Sequence, residues 1–200
     1  EDGSRNPKQI DDLNDREFKD TMMRVGVTAD DDRSGTIVFI DNGMSHCTNR
    51  EQEGVEILTT QAALAKYDWA KDYIWKSLDP TKDKYTAKTY LDKSDGYFVR
   101  VKAGYKAKYP LQTCMLINRD KSIQNVHNIV ILEEGSSLEM ITGCSTTHRS
   151  DDALHVGVSE MYIHDNASLQ FSMIHNWGKK TSVRPRTATV MGKNSKYTNN

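Results

Sequence analysis

Among 200 residues there are three cysteines, Cys47, Cys114 and Cys144, and Cys144 has the setting best suited to chemistry. It lies in Gly143-Cys144-Ser145, where an apolar run gives way to the polar stretch Thr146 to Asp152. The thiolate is both the nucleophilic and the sulfur-carrying form of cysteine. A thiol at a strand end beside a glycine has little side-chain cover, so the expectation is an exposed sulfur that a partner can reach. His148 and Arg149 follow closely enough to stabilise its thiolate. The competing reading is a small apolar residue packed at a strand end, the usual fate of a free cysteine, and residue types alone leave that reading ahead.

The other candidates are weaker. In Leu111 to Asn118 (LQTCMLIN), strand alternation groups Cys114 with Leu116 and Asn118 on one face and Thr113, Met115 and Ile117 on the other, which makes Cys114 a core residue. Cys47, beside His46, reads as an exposed thiol in a polar loop. Three cysteines at wide spacing with no C-x-x-C write neither a disulfide framework nor a four-thiolate metal site. His127, His155, His164 and His175 lie in or beside strands, and imidazoles converging from neighbouring strands would make a cupin-like metal enzyme. No His-x-His pair supports it, and strand-edge histidines are more often hydrogen bonded than ligating. His155 stands out because it follows the Cys144 loop and could return near the thiol. A phosphate loop of the G-x-x-x-x-G-K type is absent, so this sequence carries no ATP-hydrolysing motif of that kind.

These residues must be held by strands. From Val126 to Trp177 there are four runs rich in Val, Ile, Leu and Met, separated by turn clusters at Glu133-Glu134-Gly135, after Gly143 and at His164-Asp165-Asn166. The stretches Ile131 to Ile141 and Ile163 to Ile174 repeat one layout, aligning Ile131 with Ile163 and Leu138 with Leu169 at an offset of about thirty residues, the mark of a unit that stacks on its own copy. Further strands are expected over Tyr97 to Lys102, Leu111 to Asn118 and Thr187 to Met191. Before them the texture is helical. A capping box at Asn14-Asp15-Arg16-Glu17 opens a short helix that Gly26 ends. Thr36 to Ile40 reads as a strand with a turn at Asp41-Asn42-Gly43, and Val55 to Leu58 as a second, with loop between. Thr60 to Leu78 reads as one amphipathic helix closed by Asp79-Pro80, its Trp69 and Tyr73 packing against a sheet rather than forming a ligand box.

The fold expected is mainly β: a right-handed parallel β-helix (solenoid) over residues 93–200, preceded by a small α-rich region with a short strand pair over residues 1–92. The β-helix should be incomplete at its C-terminal end, since solenoids need capped ends. A net charge of -1 and a pI near 6.7 supply no field for nucleic acid. No apolar run is long enough to span a membrane, and the polar, acidic start has no signal-peptide core. The expectation is a cytoplasmic protein binding neither nucleic acid nor membrane.

The run GCSTTHRSDDALHVGVSEMYIHDNASLQFSMIHNW with the preceding VHNIVILEEGSSLEMI resembles the SufB/SufD family of iron-sulfur cluster assembly scaffolds, in its shorter archaeal form. The likeness extends through EGVEILTTQAALAKYDWAKDYIW, GYFVRVKAG, YPLQTCMLI and VRPRTATV, from about Arg33 to Val190. It implies a non-enzymatic scaffold for a transient iron-sulfur cluster. The partners implied are a SufC-type ATPase, a second SufB/SufD-type subunit paired through the β-helix as homodimer or heterodimer, and a sulfur donor protein. Cys144 matches the cysteine proposed to accept sulfur. Asn118 and Trp177 match positions proposed to line a sulfur path, and His155 and His175 are candidates for it. His175 stands where many family members carry Gln, and Leu116 where some carry Arg. The family's C-terminal region, with the cluster ligands and ATPase-docking helices, has no counterpart in these 200 residues, so the ligands are expected outside the chain. The alternatives are the cupin-like enzyme and a purely structural β-solenoid interaction module.

Overall fold

Runs of Val, Ile and Thr favour a pleated, half-buried surface, and a strand with apolar residues on both faces needs cover on both. The computed structural model, which describes residues 16–28, 32–150 and 152–200, meets that need with two facing sheets and helices outside them. In chain order come helix α1 (Arg16–Met23), strands β1 (Gly35–Ile40), β2 (Gly43–Asn49) and β3 (Val55–Thr59), helix α2 (Thr60–Lys66), a 3-10 turn over Asp68–Asp72 and helix α3 (Lys84–Leu91). Then follow β4 (Tyr97–Val101), β5 (Leu111–Ile117), β6 (Ser122–Leu132), β7 (Ser137–Thr146), β8 (Ala153–Ile163), β9 (Ser168–Asn176), β10 (Ser182–Val183), β11 (Arg186–Met191) and β12 (Lys196–Asn199).

One sheet runs β12-β9-β7-β5-β1-β2 and the other β10-β8-β6-β4-β3, with β11 also on β8. All neighbours from β4 onward pair in parallel, so the chain alternates between sheets as it climbs a β-solenoid of about three turns. Both sheets cross residue 92, since β1 joins β5 in parallel and β3 joins β4 antiparallel. Between the sheets lies an apolar core that includes Met115, Val126, Val130, Leu132, Cys144, Met161 and Ile163. Outside, α1 covers the first sheet at Val38, Cys114 and Leu116, and the α2 segment covers the second at Phe98, Ile129 and Ile131.

The internal repeat holds with one adjustment. Leu138 lies beside Leu169 as aligned, but Ile163 lies beside Leu132, and Ile131 beside Tyr162. The connections 133–136 and 164–167 are equally long, so one constant offset runs through both copies. The segment expected as loop after Gly43 is instead β2, closing a hairpin on β1 over the expected turn, where Asp41 takes a left-handed φ of 53°. Gly26, at φ 74°, ends the first helix as expected. Asn14 and Asp15 of its proposed capping box lie outside the described residues. Helix α3 was not anticipated, although Asp83 and Thr86 form a full capping box at its start.

The single helix expected over Thr60 to Leu78 stops at Lys66, where Tyr67 turns extended before the 3-10 turn, and its last positions are held out of a helix for an electrostatic reason. Glu160, on the outer face of β8 and fully buried, accepts hydrogen bonds from the backbone N–H groups of Trp75 (2.6 Å), Lys76 (2.9 Å), Ser77 (2.7 Å) and Leu78 (3.2 Å). The Ser77 and Tyr162 hydroxyls and His127 Nε2 add three more, at 2.8, 3.0 and 2.9 Å. Four backbone donors that would have bonded within a helix bond a carboxylate instead, and Trp75 takes a φ of 58° so that the chain can wrap it. Burial pushes the Glu160 pKa up, but His127 and Ser77 outweigh it and hold the value near 2.

Gly143 has a packing role of its own. A Cβ there would sit 2.5 Å from Val25 Cγ2 and 2.7 Å from Val25 O, so the turn after α1 lies directly on the strand.

Two outcomes follow from these contacts. Glu160→Ala should cost about 3–5 kcal/mol in urea unfolding followed by circular dichroism, because it leaves the wrapped N–H groups and His127 unpaired. Glu160 has a folded-state pKa below its ordinary 4.5, so its contribution is complete above about pH 4.5 and is lost as pH falls toward 2; the variant should show a flatter acid profile than the native protein. Gly143→Ala should destabilise by about 1–3 kcal/mol and speed proteolysis around α1, as overpacking does.

Candidate functional site

Cys144 is inside the solenoid rather than exposed on its surface. It is 2% accessible, belongs to the core between the sheets, and lies in register between Met115 on β5 and His175 on β9. The adjacent glycine, taken as a sign of thin cover, marks the opposite: Val25 packs on the outer face at Gly143 while the thiol faces inward. Burial pushes the Cys144 thiol up to about 12, so it rests protonated. His148 and Arg149 do not stabilise it; each lies 3.6 Å from a carboxylate oxygen of Glu17 on α1.

Cys114 follows the expected alternation. It faces outward beneath Phe18, Val25 and Val27, fully buried, its thiol raised well above the usual range by burial and then by Cys144. Thr113, on the inward face, shares a 2.8 Å hydrogen bond with Thr142. Cys47 is exposed, on β2 rather than in a loop.

The four strand histidines divide between separate places. His127 is on the outer face with Glu160, its ring 4.3 Å from that of Trp75. His164, past the end of β8, lies 3.4 Å from the Tyr73 hydroxyl in an outer cleft that Trp69 and Tyr162 also line. His155 and His175 share a neighbourhood, with ring centroids 4.9 and 5.8 Å from Trp177. Among the described residues, no three His, Cys, Asp or Glu side chains converge as metal ligands, which removes the geometric basis of the cupin-like reading.

An inward row therefore runs along the first sheet from Cys144 to its cross-strand neighbour His175 and on to Trp177, with His155 approaching from the second sheet. Among the described residues β12 pairs with residues 168–171 of β9, His175 is exposed and Trp177 is half-buried. Burial lowers the pKa of both imidazoles, that of His155 to about 4 with a further contribution from His175. Asn118 is apart from this row. Its backbone N–H donates to Asp41 (2.9 Å) and its side-chain oxygen accepts from Thr147 (2.9 Å), tying the ends of β1, β5 and β7 together.

Residue types gave no hint of Gln124, whose Oε1 is 2.8 Å from His155 Nδ1. Gly157 was detectable in principle, as a glycine within a strand marks a close approach, and a Cβ on it would lie 3.0 Å from His155 Nε2. Glu160 was also signalled, as a lone carboxylate in an otherwise buried strand.

Residues 115–200 match the domain described as "SUF system FeS cluster assembly, SufBD core domain", a span that holds every candidate residue of the row. An iron-sulfur cluster assembly SufBD family protein of Methanothermobacter thermautotrophicus is 44% identical over 190 residues, 92% of this chain and 46% of that protein. One of Archaeoglobus fulgidus is 36% identical over 182 residues, 91% of this chain and 49% of that protein. The chloroplastic relative ABCI8 of Arabidopsis thaliana is 27% identical over 134 residues. The chain thus spans about half the length of the archaeal relatives it matches. With the core domain and a parallel solenoid in agreement, this chain belongs to the SufBD family of iron-sulfur cluster assembly proteins.

Proposed function

We propose that this chain acts in iron-sulfur cluster assembly as a non-enzymatic scaffold whose Cys144 receives sulfur inside the solenoid. The observation that supports the reading is the inward row, in which the buried Cys144 has His175 as its cross-strand neighbour. The Cys144 thiolate attacks the terminal sulfur of a cysteine persulfide on a donor protein, the donor's S–S bond breaks, and the donor cysteine leaves as a thiolate that takes up the Cys144 proton. The step moves one sulfur atom with no net oxidation or reduction.

His175, Trp177 and His155 line the path in this reading, while Asn118 braces the strand ends around it. The cluster is cargo held only in passing, with ligands supplied beyond these residues. A SufC-type ATPase, a sulfur donor and a second SufB/SufD-type subunit, the same chain or a different one, complete the working assembly in the cytoplasm. The helices before residue 92 serve as outer cover of the coil, β1 and β3 extend its two sheets, and residues 93–200 serve as the sulfur-handling part.

Two measurements test this. In brief alkylation of the native protein at pH 8, Cys47 should react while Cys114 and Cys144 resist until urea is added; equal labelling of Cys144 and Cys47 would contradict an interior thiol. Incubation with a persulfide donor should then place sulfane sulfur on Cys144, and Cys144→Ser should abolish that label while Cys114→Ser keeps it, with circular dichroism unchanged in both. Persistence of the label in Cys144→Ser refutes the proposal.

A further inference from the structure

Charge is unevenly divided along this chain. Residues 166–200 hold six Lys and Arg and no Asp or Glu, so the net charge of -1 splits into +6 over this stretch and -7 over residues 1–165. Segregation of this kind bears on association rather than on fold.

Two of the six meet a third cation at the start of α3. Arg184 Nε donates to the Tyr85 hydroxyl at 3.3 Å, while Lys84 Nζ and Arg186 Cζ each lie 5.2 Å from the centre of the Tyr85 ring. The Arg184 hydrogen bond, helped by the charges of Lys84 and Arg186, outweighs desolvation and lowers the Tyr85 pKa. Asp83 answers only part of this charge. Its Oδ2 accepts from Arg186 Nε at 2.5 Å, and its Oδ1 is spent on the backbone N–H groups of Tyr85 (2.8 Å) and Thr86 (3.1 Å). Lys84 and Arg184 thus have no ion pair among the described residues.

Both guanidinium groups are held in place. Each donates from Nη1 to the carbonyl of the residue before it, Val183 at 2.9 Å and Pro185 at 2.7 Å. The Arg184 backbone N–H is tied to the His155 carbonyl at 2.8 Å, and Arg186 lies in register with Val158 on β8. Each Nη2 is left without an acceptor among the described residues. Cations gathered on one ring repel one another, and an exposed cation–π contact returns little. A carboxylate fits a guanidinium fork with two hydrogen bonds and relieves that repulsion. Nucleic acid fits less well: the Tyr85 ring already carries cations and offers no stacking platform for a base, and three cations make a short track for a phosphate backbone.

We propose that Lys84, Arg184 and Arg186 form a docking surface for a short acidic segment of a partner protein, whose carboxylates pair with the two guanidinium forks and with the Lys84 ammonium. The surface is independent of where sulfur is accepted.

The test is fluorescence anisotropy of fluorescein-labelled decaglutamate with the whole chain. The peptide should bind at about 50 mM NaCl and several-fold more weakly at about 200 mM, as screening requires. The double variant Lys84→Gln, Arg184→Gln removes no carboxylate's partner, so it should keep the native unfolding midpoint and weaken binding about ten-fold, the worth of two exposed charge contacts. Lys88→Gln removes a cation of the same helix that pairs with Asp92 at 2.8 Å, and should change binding less than two-fold. No binding at low salt, native affinity in the double variant, or an equal loss in Lys88→Gln overturns the surface. Unlabelled competitors check the occupant: displacement of the peptide at lower concentration by a DNA oligonucleotide of ten phosphates, or by inorganic phosphate, overturns an acidic protein segment as the ligand.

Discussion

Parallel register is the constraint on which the rest of this structure depends. When coils stack without slippage, a side chain's neighbours above and below are decided by its position in the repeat, and its face by odd or even place along the strand. Met115, Cys144 and His175 form one inward row for that reason, while Cys114, one residue earlier, faces the opposite way toward α1. Two cysteines one register step apart on adjacent strands thus meet different environments. One is sealed under a helix, and the other looks into the coil.

The second constraint is cover for the outer faces. A solenoid sheet with apolar residues on both sides must be plated from outside, and the N-terminal segments supply the plating by different means. Helix α1 packs Phe18 and the following Val25 on the first sheet. Over the second sheet the plate is fixed by charge: Glu160 gathers four consecutive backbone N–H groups and leaves the chain from Trp75 to Leu78 without a helix of its own. A buried carboxylate is tolerable only when its oxygens are saturated by donors, and here they are.

How far the sequence disclosed this differs by kind of signal. Alternation placed Cys114 and Thr113 on the correct faces, and the repeat announced a stacking unit, because both are local regularities that tertiary contacts reinforce. The helix over Thr60 to Leu78 was misread because its pattern is amphipathic; what keeps its last four positions out of a helix is a carboxylate more than eighty residues away, invisible to any window. Gly143 was misread in sign. A glycine offers room, and whether solvent or another segment takes the room depends on Val25, far upstream. The Gln124 to His155 bond spans thirty-one residues between adjacent coils, so it could be found only after the register was known.

Interior chemistry in this coil is therefore chemistry between neutral groups. A thiol held near 12 and an imidazole held near 4 differ far too much for a proton to pass spontaneously between them, so the resting site is not a thiolate and imidazolium pair of the kind that activates surface nucleophiles. In the proposed transfer, ionisation of Cys144 accompanies the arrival of a donor that brings its own base and excludes water. Such a thiol is protected from adventitious oxidants, which attack thiolates. In the proposed role, the burial that makes Cys144 a poor free nucleophile restricts transfer to a donor built to reach it, as a carrier of reactive sulfur requires.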